Sequence, residues 1–147
     1  MADIMSAIEH IHAGERSRAR SELEALWSSL GKDPDALHVC VLSHFLADLQ
    51  DDVLQELKWD IRALQSAGQL TDDRLREFHP SLSVAGFLPS LHLNLADAYF
   101  RSGDLESAQM HLKTCYAVEA GLSDSSYDTL TRKGIANLAA RLRSTQN

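Results

Sequence analysis

The sequence predicts an all-α fold on three observations. Apolar residues recur at i, i+3, i+4 and i+7 through most of the chain. Leu and Ala dominate, β-branched residues are sparse and only 3 residues are Pro, a composition that favours helix over sheet. Gly, Asp and Pro stand at the joints between the periodic runs, where helices stop and start. At 147 residues the chain is long enough to bury a core as one domain, 1–147.

Residues 3–13 place Ile4, Ala7, Ile8 and Ile11 on one face, and Gly14 closes that helix. A second runs from Glu15 to Leu30 with Ala19, Leu23, Leu26, Trp27 and Leu30 inward. Its Arg16, Arg18 and Arg20 alternate with acidic neighbours and read as a solvated face. Asp33-Pro34 predicts the start of a third helix, since Asp is a good N-cap and Pro fits the first turn. Its apolar residues are Leu37, Val41, Leu42, Phe45, Leu46 and Leu49.

Asp51 or Asp52 caps a fourth helix with Val53, Leu54, Leu57, Ile61 and Leu64 inward, Trp59 at its edge and Ala67-Gly68 as its end. Residues 69–87 have no sustained period. Thr71-Asp72-Asp73 caps a short helix through Phe78, and His79-Pro80 stops it. Leu75, Phe78, Leu82, Val84 and Phe87 are too apolar for a free linker, so the segment reads as an ordered insertion. Pro89 starts a fifth helix with Leu91, Leu95, Ala98 and Tyr99 inward, and a sixth follows Asp104. The last runs from Asp124 or Ser125 to Leu142 with Tyr127, Leu130, Ile135, Leu138 and Leu142 inward. Ser144 onward reads as a frayed tail.

Net charge is −7, which disfavours nucleic acid as a partner. Residues 1–80 hold 15 acidic and 8 basic side chains, and residues 81–147 hold 6 of each. The acidic half reads as a solvated surface. No apolar run reaches the roughly 20 residues that span a membrane. The start MADIMSAIEHIHAGERSRA lacks the basic and apolar blocks of a secretory signal. Cys40 and Cys115 form no Cys-x-x-Cys pair and sit inside apolar helical patterns, so buried thiols in a reducing cytoplasm are expected.

Leu88–Glu119 carries a spacing of its own: His92-x2-Leu95-Ala96-x2-Tyr99, Gly103 at a turn, then Ala108-x3-Leu112 and Cys115. It resembles a tetratricopeptide repeat, whose pattern is Trp-x2-Leu-Gly-x2-Tyr followed by Ala-x3-Phe. His92 takes the place of the aromatic, and Ala120 that of a Pro. The frame recurs weakly at Ala7, His10, Gly14, Ala19 and Leu23, and at Ser43, Leu46, Gln50, Gln55 and Trp59. The chain also resembles short bacterial tetratricopeptide proteins of uncharacterised function through HVCVLSHFLADLQDD (38–52), LKWDIRAL (57–64) and LPSLHLNLADAYFRSGD (88–104). The resemblance implies a tetratricopeptide-like right-handed superhelix. It would have about three helix-turn-helix hairpins, at 3–30, 34–67 and 88–120, with an insertion at 69–87 and a C-terminal capping helix at 124–143.

The resemblance also implies a concave groove for a protein or peptide. Its offsets select His12, then Cys40, His44 and Asp48, then Leu93, Asp97, Phe100 and Arg101, with Asn94 flanking. The family's carboxylate clamp needs several Lys, Arg and Asn. Only Arg101 and Asn94 serve here, against Asp48 and Asp97, so a basic or mixed peptide is expected. The insertion is expected to lie along that groove. An alternative is a homodimeric scaffold, because a short repeat stack leaves large terminal faces.

No cofactor and no metal is expected. His44 and Asp48 have i, i+4 ligand spacing, but no Cys-His cluster or His-Glu-x-x-His motif accompanies them. His38, His92 and Trp59 are expected to pack between hairpins. Catalysis is not expected either. Cys40 and His44 share a face, but a mid-helix Cys lacks a helix N-terminus or basic neighbour to lower its pKa.

Overall fold

A computed structural model describes the whole chain except His79, Ser81 and Asn147. The side chains of Ser126 and Tyr127 and the surroundings of Gly121 are also outside it, and with them the expected inward position of Tyr127. The described residues form eight α-helices and no strand. The fold is all-α. Among these residues, no helix is long and apolar enough to cross a membrane. The chain divides into two compact units, Met1–Gln69 and Leu70–Asn147.

The first unit holds α1 (Ala2–His12), α2 (Arg16–Ser28), α3 (Ala36–Asp48) and α4 (Val53–Ala67). Gly14 turns the chain out of α1 at φ +80°, and the Glu15 N–H donates to the His10 carbonyl at 2.9 Å. That six-to-one bond is the usual closure of a helix on a left-handed glycine. Ile4, Ala7 and Ile8 of α1 meet Ala19 and Leu23 of α2 and Leu42, Leu46 and Leu49 around α3 in one core. Asp52 caps α4 by accepting from the Leu54 N–H at 3.0 Å.

Two expectations need correction here. α3 starts at Ala36 rather than at Asp33-Pro34, because Asp35 is the cap: its Oδ1 accepts from Leu37 at 3.0 Å and His38 at 3.2 Å. On α4, Leu54 and Ile61 are 59 % and 36 % exposed, while Asp60 and Ala63 join Leu57 inside. The inward stripe is rotated by about one residue, which apolar residues on both flanks of α4 conceal from a periodicity reading.

The second unit holds α5 (Asp72–Phe78), α6 (Val84–Ser102), α7 (Leu105–Val118), a 3-10 turn (Glu119–Gly121) and α8 (Ser126–Thr145). Within the insertion at 69–87, residues 72–78 and 84–87 are helical, and Leu75 is fully buried. α6 begins at Val84, not at Pro89. Ser83 caps it by accepting from the Gly86 N–H at 3.1 Å, and Pro89 lies inside the helix. Pro there removes one intrahelical bond.

Gly103 ends α6 at φ +90°, with the Asp104 N–H donating to the Tyr99 carbonyl at 3.0 Å. Asp104 then caps α7 by accepting from Ser107 at 3.0 Å. Ser125 caps α8 by accepting from the Asp128 N–H, and the Asp128 carboxylate accepts from the Ser123 N–H at 2.7 Å. Ala96, Ala108, Leu112, Cys115, Ile135, Leu138, Ala139 and Leu142 form the core of α6, α7 and α8. Leu130 is 66 % exposed rather than inward. α8 continues to Thr145, beyond the expected end at Leu142.

Candidate functional site

The expected groove residues that lie closest to a formed cleft belong to α6. Its i, i+4, i+7 series Leu91, Leu95 and Ala98 is buried. An adjacent stripe, Leu93, Asn94 and Asp97, faces α8 across a cleft of about 320 Å³ completed by Gly134, Asn137, Leu138 and Arg141. Gly134 lies against Leu93: a Cβ there would stand 2.8 Å from Leu93 Cδ2, so a larger residue requires the end of that side chain to move.

Asp97 organises the charge at the mouth. Its Oδ2 accepts from Arg101 Nε at 2.8 Å and its Oδ1 from Arg141 Nη1 at 3.0 Å. The Arg141 guanidinium also lies 4.6 Å above the Phe100 ring. These groups remain partly open, at 35 % exposure for the Asp97 side chain and 49 % for Arg141. The Asp97 carboxylate is thus already divided between two cations, which lowers its value as an acceptor for a basic ligand. Arg141 and the exposed amide of Asn137 supply donors and an acceptor beside it.

The other groove candidates lie in the first unit. His12 is exposed at the end of α1. His44 and Asp48 share a face of α3, and the His44 ring stands edge-on to Phe45 at 5.1 Å. Burial pushes the His44 pKa down, with Asp48 pulling the other way. The Asp48 pKa is pushed up, chiefly by burial and also by the charge of Glu56, against the opposing pull of His44 and Arg16. Its side chain nevertheless reaches solvent, which screens these effects. The buried Cys40 thiol is pushed up to about 11 and that of Cys115 to about 12, so neither is a thiolate at neutral pH.

The repeat-signature residues cluster where α6 and α7 cross. Leu95, Ala96, Ala108, Leu112 and Cys115 are buried, Tyr99 is half-buried and Gly103 makes the turn.

Several contacts escaped the sequence reading. His92 Nδ1 and His111 Nδ1 are 3.1 Å apart, and Tyr99 stacks on His111 at 5.5 Å. His92 therefore pairs within its own hairpin. With both rings neutral one nitrogen donates and the other accepts; the roles follow from the tautomers. Burial lowers both pKa values, and the charge of His111 lowers that of His92 further. The only sequence signal was the position of the two imidazoles on opposite arms of one hairpin.

In the first unit Trp59 meets Trp27 edge-on at 4.9 Å, and the Arg62 guanidinium lies over both rings at 4.8 and 4.9 Å. Arg16 of α2 donates to the carbonyls of Asp48 at 3.0 Å and Gln50 at 3.3 Å, at the C-terminal end of α3. A cation placed there also opposes the negative end of the helix.

Among the described residues no three His, Cys, Asp or Glu side chains converge as metal ligands. Comparison of the chain with protein-family models, curated proteins and solved structures finds no match.

Proposed function

We propose that this chain is a non-enzymatic cytoplasmic scaffold that binds a protein or peptide segment, built on tetratricopeptide-like hairpins. The observation that carries this reading is the α6–α8 cleft. Three of the groove positions drawn from the repeat resemblance, Leu93, Asn94 and Asp97, line one cleft there with Asn137 and Arg141. An apolar floor with a few convergent polar groups suits an extended segment whose backbone and polar side chains exchange hydrogen bonds with them. The close α6–α7 crossing on Ala96 and Ala108, both with no exposed surface, supports the hairpin assignment. Because Asp97 already holds two arginines, a segment with mixed or acidic side chains suits the mouth better than a basic one.

Peptides selected from a random display library against the purified protein test this. Those that bind wild type should lose about tenfold affinity for an Asn137→Ala/Arg141→Ala variant that remains folded by circular dichroism, the loss of one or two hydrogen bonds to a charged group. Selection that enriches nothing, or peptides indifferent to both substitutions, would rule out the cleft.

A homodimeric scaffold is the second reading, favoured by the exposed Leu54, Met110 and Leu130. Light scattering at micromolar concentration separates the two.

A further inference from the structure

The second unit has another concavity, on the face where α8 meets α7. It is about 310 Å³ and is built from two helical stripes of the same i, i+3, i+4, i+7 spacing. Leu112, Ala139 and Leu142 form an apolar floor that is at most 9 % exposed. Tyr116, 51 % exposed, makes a wall. Among the described residues lining it, Lys113 and Arg143 are the charged ones, and both are exposed.

Two packed helices leave between them a groove that receives the side-chain ridge of a third. A small residue at Ala139 deepens it, and an exposed tyrosine gives a rigid aromatic contact of the kind that anchors interfaces. The charge selects the occupant. In a chain of net charge −7, the charged side chains among the described residues lining this groove are both cations.

We infer that the α7–α8 groove docks an amphipathic helix of another protein, with Leu-sized residues on its apolar stripe and Asp or Glu flanking that stripe. Helix-in-groove binding reads such anchors at i, i+3, i+4 and i+7. Flanking carboxylates reach Lys113 and Arg143, and that complementarity sets orientation and partner choice. A second copy of this chain is a poorer occupant by its exposed α4 stripe. Leu54 and Ile61 there are flanked by Lys58 and Arg62, which would meet the rim as like charges. The α6–α8 cleft is a separate surface, so this inference does not depend on it.

The probe is a pair of synthetic amphipathic peptides with the same Leu stripe, one flanked by Glu and one by Lys, titrated into the full chain. Binding is read by calorimetry and by amide chemical shifts. The Glu-flanked peptide should bind and shift residues around Leu112, Tyr116 and Leu142. The Lys-flanked peptide should bind about tenfold more weakly, as like charges are brought together. Lys113→Glu/Arg143→Glu should invert the preference, and both positions are exposed, so the fold is kept. Asn137→Ala/Arg141→Ala should leave this binding unchanged. Equal affinity for both peptides, shifts confined to other helices, or a wild-type dimer dissociated by Tyr116→Glu, a change at an exposed wall position, would each overturn the assignment.

Discussion

In Met1–Gln69 the α2–α4 contact is made at its edge by large side chains, whereas in Leu70–Asn147 α8 reaches α6 through the absence of one. Trp27 and Trp59 meet edge-on with centroids 4.9 Å apart, and the Arg62 guanidinium lies over both rings. At Gly134, instead, a methyl group would stand 2.8 Å from Leu93 Cδ2, so the end of that side chain would have to move. Both units bury alanines within their hairpins, so the difference lies in how a further helix is attached. A contact built by side chains is lost by truncation. A contact built by close approach is lost by enlargement.

The largest effect should come from enlargement in the second unit. Gly134→Leu forces α8 away from Leu93 and should cost about 3 kcal/mol, the upper part of the usual range for overpacking. Gly134→Ala sharpens the argument. Ala is better than Gly inside a helix by about 1 kcal/mol, but its methyl would stand 2.8 Å from Leu93 Cδ2. A Leu93→Ala/Gly134→Ala pair should therefore be more stable than the sum of its single changes in chemical denaturation. Strict additivity would mean that the approach at Gly134 is not tight.

Next comes truncation in the first unit. Trp27→Ala removes the edge-on partner of Trp59 and one face for Arg62, and should cost about 2 kcal/mol, less than for a fully buried Trp. Arg62→Ala should cost well under half of that, since Arg62 is an exposed residue and an exposed cation–ring contact is weak. A double-mutant cycle in urea with a coupling near zero would show that the three groups do not act together.

These contrasts also explain what could be read from the sequence. The starts of α4, α7 and α8 were legible to within one residue, at Asp51 or Asp52, after Asp104 and at Asp124 or Ser125, because a cap acts on amides two or three residues away; Asp52, Asp104 and Ser125 are the caps. The start of α6 was not. Pro89 reads as a first-turn residue, while the true cap, Ser83, lies in a stretch without a period. The inward position of Asp60 was hidden in the same way, by Leu54 and Ile61 on the flank of α4. In the cleft, Asp97–Arg101 was visible as an i, i+4 pair, but Arg141 stands 44 residues from Asp97 and only the packing of α8 brings it there. Asn137 and Gly134 were missed for the same reason.

A smaller effect is read by pH. His92 and His111 have folded pKa values below the ordinary 6.5, chiefly through burial. The unfolded chain thus binds more protons as pH falls below about 6.5. Their stabilising contribution is complete above that pH and is lost as pH falls from it toward the folded values. Thermal stability should be lower at pH 5.5 than at pH 7.5, and His92→Gln/His111→Gln should reduce the difference. His44, shifted the same way, keeps part of it in the double variant. The same pH dependence in wild type and double variant would assign the effect elsewhere.

The smallest change in stability should accompany a large change in binding. Arg141→Ala removes an ion pair with Asp97 and a cation over Phe100, both partly exposed. Together they should contribute no more than about 1 kcal/mol. Arg141→Lys keeps the charge but loses the planar fork that spans carboxylate and ring, so it should resemble Arg141→Ala in stability. If the α6–α8 cleft binds a peptide, both variants weaken that binding by more than they weaken the fold. Equal losses in the two measurements would make Arg141 a tie between helices and nothing more.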